Sequence, residues 1–141
     1  MKKKHESPDL SPSVTHLAKA ELAVMDLLWK QEPLTARQIR EQLYPGQGAS
    51  QNGTVQRLLQ RLEGKGCVQR DRETAVNLFS TTLSREEYGG GQLESLANNL
   101  TAGSIAPLIT HLVEKNRITA EEIDRIRAIL EPDQHEKGKV V

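Results

Sequence analysis

Aromatic side chains are scarce: one Trp, one Phe and two Tyr in 141 residues. With an apolar fraction of 36%, any single core must be modest. The length leaves room for one compact domain of roughly 70–80 residues and a smaller appendage. Cysteine is limited to Cys67, which excludes an internal disulfide framework and a cysteine-rich metal cluster. Its place at the start of a strand-like run suits a small buried apolar side chain better than a redox sensor. No apolar run approaches membrane-spanning length, and the Lys-rich N-terminus lacks the apolar stretch of a signal peptide. No membrane partner is therefore expected, and the expected location is the cytoplasm. His5, His16, His111 and His135 are scattered without ligand spacing. No nucleophile–base pair, phosphate-cradling glycine loop or paired carboxylates mark a catalytic site. An enzyme, a metal site and a cofactor are all not expected.

Net charge is also lacking, at zero overall, but it is unevenly placed. Met1–Leu83 holds 12 Lys/Arg against 9 Asp/Glu, or +3; Ser84–Val141 holds 7 against 10, or −3. A basic half joined to an acidic half suits a nucleic-acid-facing module with an attached partner module.

The basic half centres on Gln51–Cys67, QNGTVQRLLQRLEGKGC. Val55, Leu58, Leu59 and Leu62 fall at i, i+3, i+4 and i+7, one stripe of a helix. Gln51, Asn52, Thr54, Gln56, Arg57, Gln60 and Arg61 occupy the remaining surface. Amides, hydroxyls and guanidiniums are the groups that read base edges and hold phosphates. Lys65 suits the negative end of the helix, and Gly66 can take the positive φ that stops it.

What precedes and follows gives this helix a context. Residues 1–14 mix charge, Ser and Pro with little to bury and read as a flexible arm, in which Lys2, Lys3 and Lys4 could add non-specific attraction to DNA. A first helix is expected over Ala18–Gln31, with Leu17, Ala20, Leu22, Met25, Leu28 and Trp29 as its apolar stripe, broadened by Val24 and Leu27. Pro33 ends it. Thr35-Ala36-Arg37-Gln38 is a capping box that opens a short second helix carrying Ile39 and Leu43 inward. Tyr44-Pro45-Gly46 closes it, and the two polar-faced helices make a helix-turn-helix. After Gly66 the apolar period changes to two, through Cys67–Arg70 and Val76–Ser80, predicting a hairpin whose Arg70 and Arg72 face DNA. Three helices and a hairpin define a winged helix over residues 15–83, within a mainly α fold whose β content is that small wing.

Residues 84–132 carry helical signals. Ser84-Arg85-Glu86-Glu87 and Thr119-Ala120-Glu121-Glu122 fit capping boxes, and a middle helix is expected over Ser104–Lys115. Under fifty residues cannot bury this segment's apolar positions within one chain. Those positions are Leu93, Leu96 and Leu100; Ile105, Leu108, Ile109, Leu112 and Val113; and Ile118, Ile123, Ile126, Ile129 and Leu130. All of them but Ile118 and Ile129 are the candidate dimerisation residues, and a homodimer would present two reading helices to two DNA half-sites. Residues 133–141 are charged and read as a disordered tail.

Several of these pieces occur in the order of a known family. Ala20-Glu21-Leu22-x-Val24-Met25 with Trp29, Leu34-Thr35-Ala36, and Thr54-Val55-x-x-Leu58-Leu59-x-Arg61-Leu62 with Lys65-Gly66 resemble the penicillinase-repressor (BlaI/MecI/CopY) family. Ser84–Tyr88, Gly103-Ser104, Leu108, Leu112-Val113-Glu114 and Thr119-x-Glu121-Glu122-Ile123 extend the resemblance to nearly everything but the tails. It implies a homodimeric transcriptional repressor whose winged helices dock on an inverted-repeat operator in double-stranded DNA, while its C-terminal helices dimerise. A winged-helix dimer acting as a protein-interaction adaptor is the alternative.

The departures from the family pattern change particular expectations. Arg57 stands where the family usually has Thr, and Gln51-Asn52-Gly53 replaces Ser-Pro-Lys. Arg57 can contact guanine through two hydrogen bonds, so the family operator does not carry over. Thr74-Ala75 replaces Gly-Arg in the wing turn. Gly89-Gly90-Gly91 weakens helix propensity by on the order of 3 kcal/mol, so a break or hinge is expected there. Family members cut by a sensor protease carry Asn-Phe where this chain has His111-Leu112, and copper-responsive members carry Cys-x-Cys motifs absent here. Neither form of regulation is expected.

Overall fold

The computed structural model describes residues 11–140, with side chains through 131. Six helices and one hairpin follow in order: α1 (Lys19–Gln31), α2 (Ala36–Leu43), α3 (Asn52–Gly64), β1 (Val68–Asp71), β2 (Leu78–Thr81), α4 (Arg85–Leu100), α5 (Ala106–Glu114) and α6 (Ala120–Val140). Two compact units divide within α4, after Leu96. The fold is mainly helical, with a winged helix at its N-terminal end.

Each boundary in the winged helix has a local cause. Thr35 accepts the Gln38 N–H at 3.1 Å, and the Gln38 side chain accepts the Thr35 N–H at 2.9 Å, which is the expected capping box. A 3-10 turn, Gly48–Gln51, feeds α3 directly. Gly66, at φ +78, ends α3 and turns the chain into β1. The hairpin is antiparallel, with Val68 opposite Thr81, Gln69 opposite Ser80, Arg70 opposite Phe79 and Asp71 opposite Leu78. Its strands start one and two residues later than the alternation predicts.

Val55, Leu58, Leu59 and Leu62 of α3 pack with Leu17, Val24, Met25, Leu28, Leu34, Ile39, Cys67, Val68 and Phe79 in one core. Ala20, assigned to the α1 stripe, is exposed, and its neighbour Glu21 is buried instead. Cys67 is fully buried, and burial pushes its thiol pKa up, as an inert core position requires.

Gly89–Gly91 does not break α4. The helix runs through all three glycines, and the reason lies elsewhere in the chain. Ser11–Thr15 form a turn, with the Val14 and Thr15 N–H groups on the Ser11 carbonyl. That turn lies against Gly91 so closely that a Cβ at position 91 would stand 2.1 Å from the Ser13 carbonyl oxygen. Gln92 Nε2 donates to the Ser13 and Thr15 carbonyls at 3.2 and 3.1 Å. Glycine here admits a backbone, not a bend. The arm expected over residues 1–14 is thus a packed turn from Ser11 onward, while Lys2, Lys3 and Lys4 lie outside the described residues.

Further contacts join the start of α4 to the winged helix. Tyr88 Oη accepts the Leu17 N–H at 3.1 Å, Trp29 Nε1 donates to the Leu83 carbonyl at 2.9 Å, and the Trp29 and Tyr88 rings lie 6.1 Å apart. Arg85 covers Trp29 at 5.0 Å and pairs with Asp26 at 2.9 Å.

Both expected capping boxes stand at helix starts: Ser84 with Glu87 at 2.8 and 2.9 Å opens α4 in the first unit, and Thr119 with Glu122 at 2.9 and 3.0 Å opens α6 in the second. Beyond Leu96, Ala97 alone among the described side chains is buried. The backbone of α6 continues to Val140, so residues 133–140, expected as a disordered tail, are helical backbone.

Candidate nucleic-acid interface

The stripe that buries α3 leaves a polar row outside. Asn52, Gln56, Arg57, Gln60 and Arg61 are exposed, and Gln51 and Thr54 are half-buried at the helix start. Five of the seven residues assigned to the outward surface are thus exposed, and Gln51 lies in the turn before the helix. Arg57 folds back toward the N-terminus of α3: a Cβ at Gly53 would lie 3.5 Å from its Nη1. Gln51 Nε2 meets Gln47 Oε1 at 2.8 Å, extending the polar row into the preceding turn.

A groove of about 510 Å³ separates the start of α2 from α3 and the wing, lined by Thr35, Arg37, Gln56, Val76 and Asn77 among others. Val76 at the wing tip is 59% exposed. The wing also carries Asp71 and Glu73, so Arg72 is an exposed cation between acids.

Arg70 is placed differently from its expected role. Its Nε and Nη2 donate to the Glu63 carboxylate at 2.7 and 2.6 Å, and its guanidinium sits 5.2 Å from the Phe79 ring centre. A two-pronged ion pair stacked on an aromatic ring ties the wing to the end of α3. That hydrogen-bonded pair, opposed by burial, holds the Glu63 carboxyl below its ordinary range and raises Arg70. Arg70 is therefore a wing anchor rather than a free cation facing outward.

Three features of the interface escape the sequence reading. Arg40 Nη1 donates to Asn52 Oδ1 at 2.7 Å, linking α2 to the first turn of α3. Leu34 exchanges backbone hydrogen bonds of 3.0 and 2.8 Å with Phe79, adding a one-residue third strand to the wing. Glu32 Oε1 accepts the Thr81 N–H and hydroxyl at 2.6 and 2.9 Å, pinning the other end of β2. A one-residue bridge has no period, and long-range side-chain pairs leave no spacing signal. Of the three, only the polar character of Arg40, beside the helix-turn-helix, could have been noticed.

The apolar positions of residues 84–132, among them the candidate dimerisation residues, divide by exposure. Leu93, Leu96 and Leu100 on α4, Leu112 and Val113 on α5, and Ile126, Ile129 and Leu130 on α6 are exposed. Ile105, Leu108, Ile109, Ile118 and Ile123 are half-buried. Among the described residues no group of His, Cys, Asp and Glu could hold a metal ion, and no helix is long and apolar enough to cross a membrane.

A helix-turn-helix with an amide- and guanidinium-rich outer helix and an adjoining two-stranded wing defines a winged-helix regulator. The family model for the penicillinase repressor matches residues 17–132. The transcriptional regulator BlaI of Mycobacterium tuberculosis is 34% identical across 83% of this chain and 84% of its own length. The penicillinase repressor of Bacillus licheniformis is 24% identical, covering 88% of this chain and 96% of that protein. The methicillin resistance regulatory protein MecI of Staphylococcus aureus is 24% identical, covering 81% and 92%. A solved mutant of Lactococcus lactis ZitR aligns with 88% of this chain and 77% of its own, at 23% identity and a TM-score of 0.43. The chain belongs to the penicillinase-repressor family, whose members are DNA-binding transcriptional repressors and not enzymes.

Proposed function

We propose that this chain represses transcription as a cytoplasmic homodimer on an inverted-repeat operator, with α3 of each protomer in a major groove. The observation that carries this reading is the division of α3 into a buried apolar stripe and an exposed row of Asn52, Gln56, Arg57, Gln60 and Arg61. Amides and guanidiniums on one face of an otherwise anchored helix match the donor and acceptor pattern of base edges. Gln51 and Thr54 border that row, and Arg72 is the wing cation free to reach phosphate. Arg70 is left out because Glu63 holds it.

The exposed leucines and isoleucines of α4–α6 support the dimer. Beyond Leu96 one described side chain, Ala97, is buried, and covering the exposed apolar residues with a second copy gains stability. Selecting bound duplexes from a random DNA pool, at about physiological salt, tests the proposal. An enriched inverted repeat supports it. Binding without an enriched motif contradicts sequence reading, and no binding at all points to a protein-interaction adaptor.

A further inference from the structure

The first turn of α3 holds an asparagine whose freedom has been removed. An asparagine amide reads adenine by doing two things at once: its oxygen accepts from N6 and its nitrogen donates to N7. It can serve another base only by using one end alone or by turning over. In this chain Arg40 Nη1 donates to Asn52 Oδ1 at 2.7 Å, and the Arg40 side chain is only 14% exposed. A guanidinium has donors and no acceptor, so chemistry fixes which end of the amide faces it. The oxygen is turned toward Arg40. The exposed end of Asn52 then offers two N–H donors, and among the described residues these have no partner.

The surroundings have the same polarity. Arg57 Nη1 lies against Gly53, next to Asn52, and it too brings donors only. Of the four bases, guanine alone shows two neighbouring acceptors, O6 and N7, on its major-groove edge. Thymine shows one, and adenine places its N6 donor beside N7, where a second donor meets it unfavourably.

From this geometry we infer that Arg40 is a positioning residue that holds the Asn52 amide with its N–H end outward, so the first turn of α3 selects guanine over adenine. The inference rests on the reading of α3 as the DNA-contacting helix. It adds a rule for one position in each half-site, set by a side chain of α2 that need not touch a base.

The test compares motifs selected from one random duplex pool by the wild type, Asn52→Ala, Arg40→Met, Arg40→Gln and Arg40→Lys, with unfolding in urea followed for each. Wild type is expected to enrich guanine at a position that Asn52→Ala leaves unselected. Arg40→Met frees the amide to turn, and the guanine-to-adenine ratio there falls by about tenfold or more. Arg40→Gln, whose own amide can accept as well as donate, shifts the ratio the same way and serves if the Met variant does not fold. Arg40→Lys keeps a donor and keeps guanine. A wild-type motif with adenine at the Asn52-dependent position, no such position, or a ratio unchanged in both Arg40→Met and Arg40→Gln overturns the inference and leaves the DNA-binding reading standing. A wild type that enriches no motif overturns both.

Discussion

The Glu21 carboxylate, 1% exposed, accepts a 2.8 Å hydrogen bond from Lys65 Nζ across the core face of α1 and α3. The same carboxylate accepts the Ala18 N–H at 2.7 Å, satisfying a backbone donor at the start of α1. Lys65 Nζ also lies 3.5 Å from the His16 carbonyl. One buried acid therefore joins the start of α1 to the end of α3. Replacing Lys65 with Met leaves that acid buried and unpaired. Lys65 is 32% exposed, so the loss falls below that of a wholly buried pair, at roughly 2–3 kcal/mol. A lower urea midpoint with an unchanged slope checks this.

Acid should find the same pair. Burial pushes the Glu21 pKa up, but the Lys65 hydrogen bond, the Ala18 N–H and the charges of Lys65 and Arg61 together outweigh it, and the net shift is downward. Glu63 is also lowered, first by its Arg70 hydrogen bond. A carboxyl with a depressed folded-state pKa contributes stability that is complete above the unfolded value of about 4.3 and is lost as pH falls through the folded value. Tm is expected to hold from neutral pH down to about 5 and to drop below about 4. The drop should be shallower in Glu21→Gln; equal steepness in the two proteins contradicts the assignment.

The three glycines of α4 should respond with opposite signs. Gly89 and Gly90 have nothing within 4 Å of an added Cβ, whereas Gly91 faces the Ser13 carbonyl at 2.1 Å. Gly89→Ala and Gly90→Ala should each stabilise by about 0.5–1 kcal/mol through helix propensity. Gly91→Ala gains the same propensity but must displace the Ser11–Thr15 turn, and is expected to destabilise. Thermal unfolding of the three single variants separates these outcomes.

The two wing arginines should separate in salt. Arg72→Ala is expected to weaken binding to all sequences alike and to reduce the slope of log affinity against log salt by about 1. Arg70→Ala removes the Glu63 pair and the Phe79 stacking contact. It should lower Tm while leaving the salt slope close to that of the wild type. Fluorescence anisotropy across a salt series, alongside thermal unfolding, distinguishes them.

How much of this was legible in the sequence depends on the range of the cause. Periodicity along α3 identified Val55, Leu58, Leu59 and Leu62 as its buried face because a helix returns to the same side every three or four residues. The capping residues Thr35, Ser84 and Thr119 mark helix starts, and Gly66 marks the end of α3, because those signals act within one turn. Where the cause lies far along the chain, local reading failed. The helix-breaking expectation at Gly89–Gly91 weighed propensity alone, while the reason for Gly91 is Ser13, far upstream in sequence. Arg70 reads as a DNA contact by its charge and place in the wing, and its ion pair with Glu63, across the turn from α3 into β1, follows neither the helix nor the strand period. Nothing local marks Glu21 as buried, because the lysine that meets it, Lys65, lies far along the chain.

The measurement that tests the central claim most directly is the affinity for three duplexes at one salt concentration: the selected inverted repeat, the same repeat with one half-site scrambled, and an unrelated sequence. A dimer reading two half-sites through α3 binds the intact repeat about a thousandfold or more tighter than the unrelated duplex. It binds two chains per intact repeat and loses most of that preference when either half-site is scrambled. Equal affinity for all three duplexes would contradict the account.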